Sequence, residues 1–245
     1  LTFEGKMQSH FDVNGLLFWD AEEIHIRRWL SDQFAFHVAT ILRRINAAWT
    51  FHEIEAPILT PRHLVNKNYS NENMWVQESF DTHELVLRPE TTPSSYIYAC
   101  YLLNAGLSRP PFVVYQTGKS FRREQDQVTK NMRLKEFYQQ EFQCVYTIDT
   151  ANDYQEAILK PLATEFQVLV GLPCKIVNSD RLPSYSKRTL DLEINSMECC
   201  SISKRTDFPI KYRGSKGEKE LLVLEIAIGL DRCVYQYLNR KTIKD

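Results

Sequence analysis

Two short stretches carry the residue types that could do chemistry. They are Ser120-Phe121-Arg122-Arg123-Glu124 and, after ten less patterned residues, Lys135-Glu136-Phe137-Tyr138-Gln139-Gln140-Glu141. Both favour extended chain, and joined by the intervening loop they would form a hairpin. Successive side chains of a strand leave opposite faces, so Arg122 and Glu124 share one face, as do Phe137, Gln139 and Glu141. The platform so made offers a guanidinium fork, an aromatic ring and carboxylates. ATP suits that inventory. Arg122 could grip a phosphate through paired hydrogen bonds, Glu124 could accept from the adenine amino group, and Phe137 could stack on the base. No general acid–base pair stands out. None is needed when the nucleophile is a carboxylate already ionised at neutral pH, since positioning and charge stabilisation can supply the rate. A sheet face carrying ordinary salt bridges would use the same residues, and the pattern alone does not separate the two.

The elements that must position these residues follow from periodicity. From Ala21 to Trp49, apolar residues at Leu30, Phe34, Val38, Ile41, Ile45 and Trp49 step by three and four, which predicts one helix. A strand over Phe51–Ala56 stops at Pro57, and Asn66–Asn73 reads as a loop. Trp75–Phe80 and Leu85–Arg88 flank Asp81-Thr82-His83-Glu84 as a hairpin would. A helix is expected over Thr92–Asn104, then strands over Phe112–Gln116, Ser120–Glu124 and Lys135–Val145. A helix from about Asp149 to Val170 should be kinked or divided by Pro161. Strands over Cys174–Val177, Thr189–Ile194, Met197–Ile202 and Leu221–Ile228 follow, with Arg213–Glu220 as a polar turn, and a last helix runs to about Asn239. Strands in consecutive runs with few helices between them imply an α+β fold on a mostly antiparallel sheet.

Bulk properties narrow the function classes. At 245 residues, 43% hydrophobic and 25% charged, the chain is an ordinary globular domain, read as a single unit over residues 1–245. No apolar run is long enough to span a bilayer and the N-terminus lacks signal-peptide regions, so the expected setting is cytoplasmic and away from membranes. The six cysteines form no CxxC pair and read as small apolar residues. A net charge of −1 rules out the global basic field of a dedicated nucleic-acid binder. Gly118-Lys119-Ser120 ends like a phosphate-binding loop, yet Val113 stands where the earlier glycine belongs and strand follows in place of helix, so no amide cradle can form.

Residues 120–141 resemble motif 2 of class II aminoacyl-tRNA synthetases, most nearly that of glycyl-tRNA synthetases, in the FRxE element, the loop length and the return strand. Three further segments agree in chain order. The end of the long helix with Phe51–Pro57 resembles motif 1, Arg88-Pro89-Glu90-Thr91 resembles the family's RPET segment, and Leu224–Arg232 resembles motif 3. Ser184–Glu193 with Met197–Asp207 resembles the glycyl enzymes' two-strand signature. The resemblance runs from about Gly15 to Leu238 and implies a class II antiparallel sheet flanked by helices. It implies that Arg122 holds the α-phosphate, Glu124 reads adenine, Arg133 sits near the end of the motif 2 loop, Phe137 stacks on the base and Arg232 clamps the γ-phosphate. It further implies that Glu90, Glu141 and Glu225 surround the substrate ammonium, with Glu225 also a candidate for Mg2+, and that Arg205 faces the substrate carboxylate. ATP with Mg2+, glycine, a tRNA acceptor end and a second copy meeting at motif 1 are the implied cofactors and partners.

Four departures qualify the match. Ala227 replaces the family's serine before the motif 3 glycine, Thr92-Pro93-Ser94 replaces Ala-Gln-Gly, Val128 replaces a loop arginine and Lys135 an arginine. No segment resembles an anticodon-binding domain. Two other functions remain open on sequence: a non-catalytic synthetase paralogue acting as an accessory or binding subunit, and aminoacyl transfer to an acceptor other than tRNA.

Overall fold

The structure is a computed structural model that describes residues 15–67, 69–77, 84–123, 132–147, 153–179, 186–214 and 217–240. Helix α1 (Ala21–Ile45) begins at a capping box, in which Asp20 and Glu23 each accept the other's backbone N–H at 2.9 Å. It buries Leu30, Phe34, Val38 and Ile41. The chain leaves the helix at Asn46, so Trp49 reaches the core from beyond the helix end and not as its last apolar step. Twelve strands follow. They are β1 (Thr50–Glu53), β2 (Leu59–Pro61), β3 (Val76–Gln77), β4 (Leu85–Leu87), β5 (Phe112–Phe121), β6 (Glu136–Thr147), β7 (Lys175–Asn178), β8 (Ser186–Ile194), β9 (Met197–Arg205), β10 (Tyr212–Gly214), β11 (Gly217–Lys219) and β12 (Leu221–Gly229). Helix α2 spans Thr92–Asn104, α3 Tyr154–Val170 and α4 Leu230–Asn239.

Seven strands form one sheet in the order β1-β5-β6-β12-β9-β8-β7. Only β1 with β5 is parallel; the remaining neighbours are antiparallel, as the runs of consecutive strands predict. One face is apolar. Val113, Phe142, Cys144, Leu224, Ile226, Ile202 and Leu190 pack there with α1, α3 and α4, where Phe34 stacks on Phe166 at 4.4 Å. Truncating a ring so buried, Phe34→Ala for instance, costs about 3–5 kcal/mol. Alternation turns Gln116, Glu141, Gln143 and Glu225 to the opposite face, and α2 covers one end of that face through Tyr96, Ala99 and Leu102.

Several expectations need correction. Phe112–Gln116 and Ser120–Glu124 are not two strands; β5 runs unbroken to Phe121, because Gly118 and Lys119 still pair with Gln139 and Tyr138. Pro161 does not divide α3. It lies with Ala157 on the exposed side, where the carbonyl deprived of its donor can face water. Arg213–Glu220 is no plain turn, since β10 and β11 pair antiparallel. Strand β2 was not anticipated; it joins β4 and β3 in a three-stranded sheet whose β3–β4 pairing matches the expected hairpin. The turn of that hairpin (78–83) and the expected start of α3 (149–152) lie outside the described residues. All six cysteines are free thiols, four of them buried.

Arg88 joins the two sheets. It is 3% exposed and donates to the carbonyls of Lys119 at 2.8 Å and Ala56 at 2.9 Å and to Gln116 Oε1 at 3.1 Å. Its guanidinium crosses β5 where a Cβ on Gly118 would stand. Because those bonds hold it, Arg88 cannot swing aside. Gly118→Ala is therefore expected to destabilise the fold by about 1–3 kcal/mol, read as a lower urea midpoint; an unchanged midpoint would show that Arg88 does not block this space.

Candidate active site

Pairing register gathers the polar residues. Glu141 on β6 lies between Gln116 on β5 and Ala227 on β12, and Gln143 lies opposite Glu225, which in turn lies opposite Ser203 on β9. The start of α2 crosses this face. Pro93 is tolerated in its first turn, where a backbone N–H would have no helical partner. Gln116 Nε2 fastens the entry by donating to the Thr91 carbonyl at 3.2 Å and to Ser95 Oγ at 2.9 Å. Glu141 Oε2 accepts the Thr91 N–H at 3.2 Å and the Thr91 hydroxyl. The Thr92 hydroxyl donates to Glu225 Oε2 at 2.9 Å, and Gln143 Nε2 reaches both of those oxygens, at 3.1 and 2.9 Å.

Arg205 enters from the end of β9. Its Nη1 donates to Glu225 Oε2 at 2.7 Å, and its Nε and Nη2 hold Asp207 bidentately at 3.0 and 2.7 Å. Glu90 Oε2 stands 4.0 Å from Nη1. Burial works against this charge, yet Glu225, Tyr96, Asp207 and Glu90 overcome it and hold the guanidinium above its ordinary value. Arg205 thus pairs with three carboxylates, Glu225, Asp207 and Glu90, and Glu141 joins them through the Thr92 hydroxyl. Burial pushes Glu90 up to about 7, although Arg205 opposes the shift. Burial also pushes Glu141 up to about 7, with Glu225 and Glu90 adding to it and the Thr91 hydroxyl opposing. Buried like charges disfavour their ionised forms, and the carboxylates of the site outnumber the positive charge beside them. Glu90 Oε1 accepts no hydrogen bond from the described residues.

The residues expected to meet the nucleotide divide into two groups. Arg122 lies just beyond β5, its Nε donating to the Pro89 carbonyl at 3.2 Å and its Nη2 to the Tyr69 hydroxyl at 3.2 Å. Its guanidinium carbon lies 5.2 Å from the centre of the Phe137 ring, so these two of the expected set do meet. The Tyr69 hydroxyl donates in turn to Glu90 Oε2 at 3.5 Å, which links Arg122 to the carboxylates. Arg133 and Arg232 instead line a cavity of about 270 Å³ with Asp191, Glu193, Glu198 and Asn178. Arg122 is not among its lining residues. Arg232 donates to the Glu198 carbonyl at 2.8 Å and stands 3.6 Å from that carboxylate. The adjacent Asp231 accepts the Tyr138 N–H at 2.9 Å and so ties the start of α4 to β6; burial pushes its carboxyl up to about 7. Glu124 lies outside the described residues.

Residues 74–241, more than half the chain, match the family model described as the tRNA synthetase class II core domain (G, H, P, S and T). The chain belongs to that family. Curated relatives of this synthetase core include the glycine–tRNA ligase of Mycoplasmopsis synoviae, 29% identical over 176 residues that cover 63% of this chain and 39% of the relative. The glycine–tRNA ligase of Bifidobacterium longum is 28% identical over 62% of this chain and 36% of its own length. Among solved structures, the Giardia lamblia prolyl-tRNA synthetase in complex with prolyl-adenylate superposes with a TM-score of 0.71 at 16% identity, covering 94% of this chain and 49% of that one. The Cryptosporidium parvum prolyl-tRNA synthetase complexed with halofuginone and AMPPNP gives 0.72 at 16% identity, covering 93% and 48%. These likenesses establish the class II fold. The synthetase core spans about two fifths of the curated relatives it matches and about half of the structural neighbours.

Sequence reasoning overlooked three residues of the site. Gln143 was legible, one further step along the alternation Phe137, Gln139, Glu141. Thr92 stood out only as a departure after the RPET segment, and the structure brings it beside Glu141, whose cross-strand neighbour Ala227 is another of the departures. Tyr69 lies in a loop without periodicity and gave no signal. Among the described residues no three or more His, Cys, Asp or Glu side chains are arranged to hold a metal ion, and no helix among them is long and apolar enough to cross a membrane.

A pH dependence follows. Between the ordinary carboxyl value of 4.5 and the folded value of about 7, the native chain holds more protons at Glu90 and Glu141 than the unfolded chain does. Their contribution to stability is therefore complete below 4.5 and is lost as pH rises through 7. Glu90→Gln removes one share, so its melting temperature relative to the parent should rise between about pH 5.5 and pH 8. Parallel curves for the two proteins would refute the assignment.

Proposed function

We propose that this synthetase core activates a small amino acid, glycine in the first instance, by forming an aminoacyl adenylate from ATP and releasing pyrophosphate. One observation carries the reading: a single buried guanidinium ringed by three carboxylates, Glu90, Glu225 and Asp207, with Glu90 Oε1 accepting no hydrogen bond from the described residues. Such a cluster suits a primary ammonium, whose charge would replace the protons that Glu90 and Glu141 otherwise retain.

In the proposed reaction the substrate carboxylate attacks the α-phosphorus of ATP. A bond forms from carboxylate oxygen to phosphorus, the bond from that phosphorus to the bridging oxygen breaks, and pyrophosphate leaves with the electron pair. Arg122, 5.2 Å from the Phe137 ring centre and linked through Tyr69 to Glu90, would hold the α-phosphate beside the nucleophile. Arg133 and Arg232, which share the separate cavity with Asp191, Glu193 and Glu198, are the candidates for the outer phosphates. Mg2+, when bound with ATP, would offset phosphate charge, and it commonly needs only one or two protein carboxylates besides the phosphates. Glu225 is poorly disposed for that duty, because its Oε2 already accepts from Arg205, Thr92 and Gln143.

Transfer to a tRNA acceptor end, and pairing of two copies at β1, an edge strand of the large sheet, belong to the same proposal. Amino-acid-dependent ATP–pyrophosphate exchange across the twenty amino acids tests it. Glycine should support exchange, another amino acid would move the specificity, and none would favour an accessory role. Arg122→Ala should lower the exchange rate by roughly 100-fold or more. Activity kept by that variant would remove Arg122 from the reaction.

A further inference from the structure

The carboxylate cluster contains more acceptors than donors, and one neutral side chain sits at its centre. Thr92 is 1% exposed. Its Oγ1 lies 2.9 Å from Glu225 Oε2, 3.3 Å from Glu141 Oε2, 3.1 Å from Gln143 Nε2 and 3.5 Å from Arg205 Nη1. A hydroxyl has one proton to give and two lone pairs to offer. Here the proton goes to Glu225, and the lone pairs face the Gln143 amide and the Arg205 guanidinium. Four elements (α2, β6, β12 and β9) therefore meet on a single oxygen. Across the sheet, Ala227 stands directly opposite Glu141 and two residues beyond Glu225 on the same face, and contributes no polar atom. Directly opposed Cβ atoms are about 4.5–5.5 Å apart, so a hydroxyl placed at 227 would enter the same space from below.

The geometry points to Thr92 as the positioning residue of the amino-acid pocket: its hydroxyl holds Glu225 and Arg205 in the arrangement that leaves Glu90 open to an incoming ammonium. This deepens the activation reading and rests on it. The residue acts through its neighbours, and the function belongs to the hydroxyl as such, so the same group supplied from position 227 should serve. Valine at 92 keeps the shape and deletes the donor, which leaves Glu225 short of one hydrogen bond and the Gln143 amide facing a methyl group.

The test compares Thr92→Val, Thr92→Ser, Thr92→Ala and the double variant Thr92→Ala/Ala227→Ser in steady-state pyrophosphate exchange and in thermal melting. Thr92→Val is expected to raise KM for glycine about tenfold, the effect of one lost hydrogen bond to a charged group, with KM for ATP changed less than about twofold. Thr92→Ser should recover most of that loss, and Ala227→Ser should recover part of what Thr92→Ala loses. Equal rises in both KM values, or no recovery in the double variant, would overturn the assignment. If the parent protein supports exchange with no amino acid, the activation reading fails by itself, and melting then decides for Thr92. A lower melting temperature in Thr92→Val and Thr92→Ala that serine at 92 or at 227 restores keeps the hydroxyl as the organiser of the cluster. A loss that neither serine restores removes it.

Discussion

A guanidinium sealed from water needs counter-charge in contact with it, and Arg205 has more than it requires. Glu225 and Asp207 bind it directly and Glu90 stands at the limit of ion-pair distance. Taking any one of these charges into the interior costs several kcal/mol, and the mutual contacts offset that cost only because every strand delivers its residue in register. A shift of one residue in β12 against β6 would send Glu225 into the apolar layer under α1 and α3. The cluster thus constrains the sheet as firmly as the sheet builds the cluster.

The two faces of the sheet divide the labour. On one, aromatic and branched residues pack three helices into a continuous core that fixes the curvature and spacing of the strands. On the other, the same strands turn out glutamines, glutamates and hydroxyls, and the start of α2 is laid over them by Arg88 and Gln116. Neither residue touches the proposed substrate. Both hold the short segment Pro89-Glu90-Thr91-Thr92, from which Glu90, Thr91 and Thr92 reach the cluster and the Pro89 carbonyl reaches Arg122. Rigid supports of this kind let a site work by placement without an acid–base pair.

The nucleotide side is less tightly drawn together. Arg122 and Phe137 meet through the β5–β6 hairpin, while Arg133 and Arg232 share a separate cavity near the β8–β9 turn. Tyr69 and Asp231 bind these groups to the rest, the first linking Arg122 to Glu90 and the second anchoring the start of α4 to β6. The carboxylate cluster and the Arg122–Phe137 pair are therefore joined by hydrogen bonds through Tyr69.

Local pattern in the chain was enough to determine the elements and much of the site. Steps of three and four in α1 and alternation in β6 and β12 announced an antiparallel α+β core and set Arg122, Phe137 and Glu141 forward, because secondary structure and strand faces depend on near neighbours, whereas Glu90, Arg205, Glu225 and Arg232 came forward only through the resemblance to class II motifs. The unbroken β5 and the continuous α3 ran against that local reading, since cross-strand pairing and solvent access outweighed a glycine and a proline. Only the tertiary structure decided that Thr92 and Ala227 both stand beside Glu141, that Tyr69 links Arg122 to Glu90, and that Arg205 is shared among three carboxylates. Those facts depend on residues up to 133 positions apart being brought within hydrogen-bond distance, and no local period encodes such a meeting.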